Sequence, residues 1–142
     1  MPKLTEVRTT KTNLRQHHLS QRKHMECSLV RDLSCKVQKR VLDLSLFAKA
    51  RTVGLYAPLG NEVDTHLLCE SAHERGAVVA YPGVVQQNME FVRYAADCAW
   101  VQGAFGILEP QVNTSRYAEC VLEPEKFDVI IVPGVAFDRF GN

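Results

Sequence analysis

Two basic residues near the N-terminus are the first that could do chemistry together. Lys11 and Arg15 lie four positions apart, and in a helix this spacing places both side chains on one side. Two neighbouring cations can neutralise a polyphosphate, because an arginine holds two phosphate oxygens at once. The alternative is an ordinary solvent-exposed face, since Gln16, His17 and His18 beside them are equally polar. From spacing alone, the exposed face is the better interpretation.

A carboxylate follows the first predicted strand. Glu62 lies in PLGNEVDT, immediately before a predicted helix. There its side chain could accept hydrogen bonds from a polar ligand in a partly desolvated pocket. Alternatively, it is a carboxylate favoured near a helix N-terminus by the helix dipole. The local sequence favours neither interpretation over the other.

Two further loops carry groups that could contact a ligand. AFGILEPQ combines Phe105 with Glu109, so it could stack on a flat heterocycle and read its polar edge. More often such a loop is a turn that covers the core, where aromatic residues supply buried area. PGVAFDRFGN places Gly134 where the backbone must turn sharply and Asp138 where a carboxylate could approach a metal or hydroxyl group. A β-turn explains this last loop equally well.

Generic motifs and composition exclude several classes of protein. The sequence contains no complete phosphate loop, nucleophile elbow or dinucleotide-binding glycine motif. His17 and His18 have no matching ligands at zinc-like spacing, so no metal site is predicted from them. Seventeen basic and sixteen acidic residues give a formal net charge of +1, which provides no extended field for nucleic acid or anionic lipid.

The cysteines and the hydropathy pattern bear on the compartment. Five scattered cysteines contain no CxxC pair, and their odd number cannot close completely into disulfides within the chain. Reduced thiols in the cytoplasm are therefore expected. No apolar run is long enough for a signal peptide or a membrane span, so neither export nor membrane insertion is predicted.

The elements that must position these residues alternate between helix and strand. Helices are predicted from Thr9 or Thr10, from Ser28 and from Asp64 or Thr65 to a stop at Gly76, and strands in TVGLYAP, AVVAYP, MEFVRYA and FDVIIVPG. With 142 residues, of which 46% are hydrophobic, one domain spanning 1–142 is expected. The pattern predicts an α/β, three-layer Rossmann-like domain with a largely parallel sheet and helices on both faces. Ligands bind such sheets beyond the carboxyl ends of the strands.

Three apolar patterns identify the expected core. The second helix carries apolar residues at steps of three and four, and this face is predicted to cover the sheet: Val30, Leu33, Val37, Val41 and Leu44. FDVIIVPG is a nearly continuous apolar run, which is typical of a strand covered on both faces. Cys69 in the third helix is predicted to be a small buried core residue.

Five segments, taken together and in order, resemble the 5-formyltetrahydrofolate cyclo-ligase family. They are KTNLR, GLYAPLGNEVDT, MEFVR, FGILEP and FDVIIVPGVAFDRFGN, and the resemblance runs from Lys11 to Asn142. It implies a ring closure that depends on ATP and magnesium (Mg²⁺) and converts 5-formyltetrahydrofolate to 5,10-methenyltetrahydrofolate with release of ADP and phosphate. In that mechanism the formyl oxygen is phosphorylated, the neighbouring folate amine attacks the carbon, and phosphate leaves.

The resemblance also assigns residues to the nucleotide. Lys11 and Arg15 match the basic pair that holds the ATP phosphates, and Gly134 and Asp138 are assigned to the same nucleotide site. Most of the work expected of the protein is therefore positioning and charge neutralisation. No catalytic residue and no metal ligand is assigned within the chain.

The folate is the expected small-molecule partner. Glu62 matches the carboxylate that contacts it, and Met89 lies in the segment that lines the folate pocket. Phe105 stands where the family has an aromatic residue beside the pterin, and Glu109 stands where it has a polar side chain that reads the pterin.

One departure from the family pattern concerns the end of the sequence. The family continues beyond FDRFGN into a segment resembling RLGRGGGYYD, which supplies backbone amides, tyrosines and an aspartate, and the sequence stops at Asn142. We therefore expect a domain that is incomplete at its C-terminus, monomeric if complete and self-associating through an exposed strand edge if truncated.

The alternative function is a non-catalytic module that binds a pteridine, a nucleotide or a protein partner. An RNA-associated module is disfavoured by the near-neutral charge.

Overall fold

The computed structural model describes residues 4–85, 87–95, 98–103, 106–111 and 117–141. Its helices are α1 (Leu4–Lys23), α2 (Cys27–Leu42), α3 (Ser45–Lys49), α4 (His66–Glu74) and α5 (Tyr117–Cys120). Its strands are β1 (Thr52–Gly54), β2 (Val78–Val85), β3 (Asn88–Arg93), β4 (Trp100–Gln102), β5 (Leu108–Pro110), β6 (Val121–Leu122) and β7 (Val129–Ile130). A 3-10 turn spans Pro124–Lys126. Within the described residues, no helix combines the length and apolar character needed to cross a bilayer.

The main sheet has five strands in the order β6-β3-β2-β1-β7. Strand β1 pairs in parallel with β2 and β7, whereas β3 is antiparallel to both β2 and β6. All of its strands except β3 therefore run in the same direction. Strands β4 and β5 form a separate antiparallel pair. The predicted α/β class with a mostly parallel central sheet is confirmed.

The core lies on one face of this sheet, against α3 and α4. Its members alternate along β1 and β2 because successive side chains of a strand point to opposite faces. The buried cluster comprises Phe47, Ala50, Val53, Leu55, Leu68, Cys69, Ala72, Val79 and Tyr81. Helix α4 ends as predicted at Gly76, whose φ of 74° suits a residue without a side chain. The predicted burial of Cys69 is confirmed.

The opposite face of the sheet carries exposed apolar side chains. Met89 is 78% exposed, and Ile130 on β7 and Val132 after it are 39% and 70% exposed. The prediction that FDVIIVPG is covered on both faces is therefore wrong for the described residues. Strand β7 is short and lies at the sheet edge, where a side chain has neighbours on one side only. The expected layer of helices on both faces stays a prediction.

Helix α2 turns a different face inward than its apolar pattern predicts. Ser34 and Gln38 are 5% and 2% exposed, whereas Leu33 and Val37 are 41% and 43% exposed. Both polar side chains are paired with backbone: Ser34 accepts from the loop before α4, and Gln38 accepts from the first turn of α4. Of the apolar stripe, Val41 packs against the core as predicted, whereas Leu33 and Val37 line a cavity.

Two further boundaries differ from the predictions. Helix α1 begins at Leu4, earlier than the predicted cap at Thr9 or Thr10. The segment around Glu109 was predicted to be a loop, yet β5 lies there and pairs with β4 in the register Val101 to Glu109. This pairing partner is contributed by residues in the preceding loop, so local sequence alone did not reveal it.

Candidate functional site

A cavity of about 360 Å³ lies at the carboxyl ends of β1 and β7. This is the edge of the sheet at which ligands bind in α/β folds. Its walls come from α2, from the loop between β1 and α4, and from the segment that follows β7. The end of α1 also reaches it through Arg22.

The walls of this cavity are mainly apolar. Helix α2 contributes Val30, Leu33, Val37 and Val41, the stripe that was predicted to cover the sheet. Across the cavity lie Val132, Pro133 and Phe137 from the segment after β7. An apolar cavity with a few polar groups is the usual form of a small-molecule site, so this cavity is the candidate binding site.

The loop between β1 and α4 comprises residues 57–65, and two hydrogen bonds connect it to Tyr56 at its start. The Tyr56 hydroxyl donates to the Val63 carbonyl at 2.7 Å, and Thr65 Oγ1 donates to the Tyr56 carbonyl at 2.9 Å. Burial raises the pKa of Tyr56, and the nearby Glu62 carboxylate raises it further. The phenol therefore stays protonated and continues to donate at neutral pH.

Ser34 and Gln38, the two buried polar residues of α2, bind the end of the same loop and the start of α4. Ser34 Oγ accepts from the Asp64 N–H at 2.6 Å, and Gln38 Oε1 accepts from the Leu67 N–H at 2.9 Å. Asp64 Oδ1 in turn accepts from the His66 N–H at 3.0 Å. The first N–H groups of α4, which have no partner within the helix, are thus satisfied by the preceding loop and by a second helix.

Glu62 stands on the cavity wall with its carboxylate held from two sides. Oε2 accepts from the Leu59 N–H at 2.9 Å, and Oε1 lies 3.6 Å from Nη2 of Arg22. The Glu62 and Arg22 side chains are 20% and 23% exposed, so the pair is largely shielded from water. Asn61 Nδ2 also donates to the Arg22 carbonyl at 2.8 Å. The arrangement offers a fixed hydrogen-bond acceptor beside an apolar surface.

Comparison with known proteins identifies the family. The model of the 5-formyltetrahydrofolate cyclo-ligase family matches residues 7–142. The chain belongs to this family. A 5-formyltetrahydrofolate cyclo-ligase of Haemophilus influenzae is 28% identical over 142 residues, which are 98% of this chain and 66% of the relative. The chain therefore spans less than two thirds of the length of this curated relative.

Solved structures of the family have the same fold. The NMR structure of 5,10-methenyltetrahydrofolate synthetase from Aquifex aeolicus superposes with a TM-score of 0.75 at 33% identity, covering 90% of this chain and 62% of that one. A 5,10-methenyltetrahydrofolate synthetase from Mycoplasma pneumoniae superposes with a TM-score of 0.64 at 22% identity, covering 91% and 66%. The second likeness supports the fold alone.

Two of the binding residues predicted from the sequence lie at the cavity. Glu62 and Gly134 both line it, one from the loop after β1 and the other from the segment after β7. Asp138 is exposed and lies in a turn, where its Oδ1 accepts from the Phe140 N–H at 2.9 Å. The β-turn interpretation of this segment therefore describes its local geometry.

The predicted basic pair lies outside the cavity wall. Lys11 and Arg15 are exposed on α1, and neither is among the lining residues. Arg22 follows Arg15 by seven positions, about two helical turns or roughly 10 Å along the axis. The role of Lys11 and Arg15 in nucleotide binding stays a prediction. Helix α1 carries both residues and also carries Arg22, which lines the cavity.

Met89 and Glu109 lie at a second place, beside strand β2. Met89 is paired with Val84 across β2 and β3. Glu109 is 9% exposed, and its Oε2 accepts from the Val84 N–H at 2.8 Å. A side chain at Gly103 would collide with this carboxylate, so glycine there leaves it room. The hydrogen bond between Val84 and Glu109 connects β5 to β2. The predicted contact of Glu109 with the pterin stays a prediction. Phe105 lies outside the described residues.

The sequence analysis missed the residues that hold the site in place. They are Arg22, Ser34, Gln38, Tyr56 and Asn61. Ser34 and Gln38 did leave a signal, because these two polar residues, four positions apart, share a helical face with Val30, Val37 and Val41. The contacts of Arg22 and Asn61 join residues far apart in sequence, and no local pattern reports them.

Proposed function

We propose that this protein catalyses the ATP-dependent cyclisation of 5-formyltetrahydrofolate to 5,10-methenyltetrahydrofolate, with release of ADP and phosphate. Membership of the cyclo-ligase family supports the reaction class. The observation that carries the proposal for this chain is Glu62, fixed on the wall of an apolar cavity at the carboxyl end of β1. No structural observation favours the non-catalytic alternative.

In this proposal the folate occupies the cavity. Its pterin ring is flat and carries N–H donors along one edge, so the apolar residues of α2 cover its face while the Glu62 carboxylate accepts from the edge. A hydrogen bond to an ionised acceptor is about twice as strong as a neutral one. Fixing the carboxylate beforehand lowers the cost of ordering it on binding. Met89, Phe105 and Glu109 are proposed as further folate contacts.

The nucleotide binds on the adjacent side in the same proposal. Lys11 and Arg15 neutralise the ATP phosphates, and Gly134 and Asp138 belong to the segment that borders the cavity. The formyl oxygen accepts the terminal phosphoryl group and ADP departs. The neighbouring folate amine then attacks the formyl carbon, and phosphate leaves with the former formyl oxygen and the proton of the amine. Because charge moves onto phosphate oxygens, neutralisation by Lys11 and Arg15 is the main contribution expected of the protein.

Magnesium is expected to arrive with ATP. The described residues contain no group of three or more histidine, cysteine, aspartate or glutamate side chains that could hold a metal. Mg²⁺ keeps several waters and is usually bound through substrate phosphates and one or two carboxylates. Asp138, an exposed carboxylate in the segment after β7, is proposed to lie beside the bound nucleotide. The ion would supply charge neutralisation at the phosphates.

A cytoplasmic location is part of the same proposal. All five cysteines are free thiols, and Cys27 is exposed. Exposed thiols are typical of proteins from a reducing compartment.

The test is direct. The purified protein is mixed with 5-formyltetrahydrofolate, ATP and magnesium, and the near-ultraviolet absorbance of the methenyl product is followed. Product that accumulates only when all three are present supports the proposal. Failure to form product together with failure to bind 5-formyltetrahydrofolate would contradict it.

A further inference from the structure

Arg22 at the end of α1 contacts two successive residues of the loop on the cavity wall. Its carbonyl accepts from Asn61 Nδ2 at 2.8 Å, and its guanidinium Nη2 lies 3.6 Å from Glu62 Oε1. The backbone contact fixes where the arginine stands relative to the loop. From this position the guanidinium reaches the Glu62 carboxylate.

These contacts matter because Glu62 has few other constraints on its orientation. The Leu59 N–H holds Oε2 at 2.9 Å, and a single hydrogen bond leaves the carboxylate free to rotate about it. Arg22 lies on the side of Oε1, so the two partners together define the plane of the carboxylate. At 3.6 Å the contact with Arg22 is longer than a hydrogen bond, and its effect is therefore electrostatic.

A surface ion pair with no effect is the competing explanation. Pairs in open solvent contribute little because water screens them and both side chains lose freedom. Here the Arg22 and Glu62 side chains are only 23% and 20% exposed, and both line the cavity. Screening is weaker at such a position. The Asn61 bond also holds the backbone of Arg22, so the side chain starts from a fixed position beside the loop.

We propose that Arg22 is a positioning residue that orients the Glu62 carboxylate for the folate. This inference rests on the proposed function, since it assumes that Glu62 contacts the substrate. Arg22 acts through Glu62 and makes no contact of its own with the ring. Its removal should therefore weaken folate binding only while the Glu62 carboxylate is present.

A double-mutant cycle on folate affinity tests this inference. The dissociation constant of 5-formyltetrahydrofolate is measured by calorimetry for the wild type, Arg22→Gln, Glu62→Gln and the double variant. Arg22→Gln should raise the dissociation constant about three- to fivefold in the wild-type background, the range of a partly shielded ion pair. In the Glu62→Gln background it should have no further effect.

Two more variants separate orientation from charge and from folding. Lys23→Gln removes the same charge from the neighbouring exposed position and should leave the affinity unchanged. Arg22→Lys keeps the charge and most of the stem, so it should recover part of the affinity lost in Arg22→Gln. Thermal unfolding of every variant shows whether it is folded at the temperature of the titration, and Arg22→Met, which also removes the charge but keeps an apolar stem, replaces Arg22→Gln in the cycle if the latter is not.

The outcomes distinguish this inference from the proposed function. Equal weakening by Arg22→Gln in both backgrounds would mean direct contact or general destabilisation, and would overturn the positioning role. Unchanged affinity of Arg22→Gln, with Glu62→Gln weakened, would overturn the inference and leave the proposed function standing. A wild-type protein that does not bind 5-formyltetrahydrofolate would overturn both.

Discussion

The loop carrying Glu62 and the helix carrying Lys11 and Arg15 present their binding residues in opposite ways. The loop, residues 57–65, is tied to α1, to α2 and to Tyr56 at the end of β1 by side-chain hydrogen bonds. The basic pair of α1 is exposed to solvent. The folate side of the proposed site is thus organised before binding, whereas the basic side chains of the nucleotide side must be ordered when phosphate arrives.

This difference has an energetic consequence. Each long side chain that is immobilised on binding costs about 0.5–1.5 kcal/mol, which reduces affinity. A residue that is already fixed avoids this cost, so changes in the loop should affect folate affinity strongly. Changes on α1 should affect nucleotide binding moderately, with a strong dependence on salt because exposed charges are screened.

The largest expected effect comes from removing the charge of Glu62. Glu62→Gln should weaken binding of 5-formyltetrahydrofolate about 10- to 100-fold, since hydrogen bonds to charged groups contribute about 1.5–3 kcal/mol. Thermal stability should change little, because the loop keeps its bonds to Ser34 and Tyr56. Calorimetric titration measures the affinity, and Glu74→Gln on the exposed end of α4 is the matched control. Equal affinity of Glu62→Gln and wild type would contradict the folate assignment.

The second-largest effect is expected from Gln38→Ala, a variant that tests whether contacts from α2 hold the loop in place. Gln38→Ala leaves the Leu67 N–H without its partner and removes buried contacts, so the free energy of unfolding should fall by about 1–3 kcal/mol. Folate affinity should fall as well, because α4 and the loop before it lose their support. Urea unfolding and titration measure the two quantities, with Lys39→Ala at the exposed neighbouring position as control. A loss of stability with unchanged affinity would show that the loop orders independently of α2.

A smaller effect is expected on the nucleotide side. Lys11→Gln and Arg15→Gln should each weaken ATP binding about three- to tenfold at low salt, and the effect should shrink as salt rises. The free energy of unfolding and the folate affinity should stay at wild-type values, since both side chains are exposed. Titration with ATP at two salt concentrations makes the measurement, with Lys39→Gln as the control. Loss of folate affinity in these variants would contradict the separation of the folate side from the nucleotide side.

The smallest effect is expected at the other end of β1, where Asp128 acts on stability alone. Its Oδ2 accepts from the N–H groups of Arg51 and Thr52 at 2.7 and 3.0 Å. These bonds lower the pKa of Asp128, so its contribution is complete above the ordinary aspartate pKa of about 4 and is lost as the pH falls through the lower folded-state value. Asp128→Asn should therefore unfold at a lower temperature at pH 7, with the difference closing in acid.

Folate affinity provides the comparison for Asp128→Asn. It should stay at the wild-type value at pH 7, because the carboxylate lies at the end of β1 away from the cavity. Thermal unfolding across pH 2.5–7 and one titration suffice. A difference in unfolding temperature that grows as the pH falls would contradict the assigned role of the carboxylate.

Several features of this fold were readable from sequence because their causes are local. Helix α4 shows a polar start, an inward face containing Leu68 and Ala72, and a glycine stop at Gly76. Glu62 was placed correctly at the end of a strand, because an apolar run followed by a polar loop and a helix defines that position in an α/β sheet.

Other features depend on contacts between distant residues, and the sequence could not reveal them. The apolar stripe of α2 predicts a buried face, but periodicity does not distinguish a sheet from a cavity as the partner surface. The pairing that makes β5 a strand, and the two contacts of Arg22, join segments that only the folded chain brings together. The positions of Glu62 and Gly134 beside the cavity were therefore accessible from sequence, whereas the interactions that orient Glu62 were not.

A calorimetric titration shows whether Glu62 is fixed in advance as the folate acceptor. 5-Formyltetrahydrofolate is titrated into the wild-type protein and into Glu62→Gln, both without nucleotide. Saturable binding to the wild type and at least a tenfold loss of affinity in the variant are expected, because the variant loses a charged hydrogen bond. Binding that requires ATP, or equal binding by both proteins, would contradict this role of Glu62.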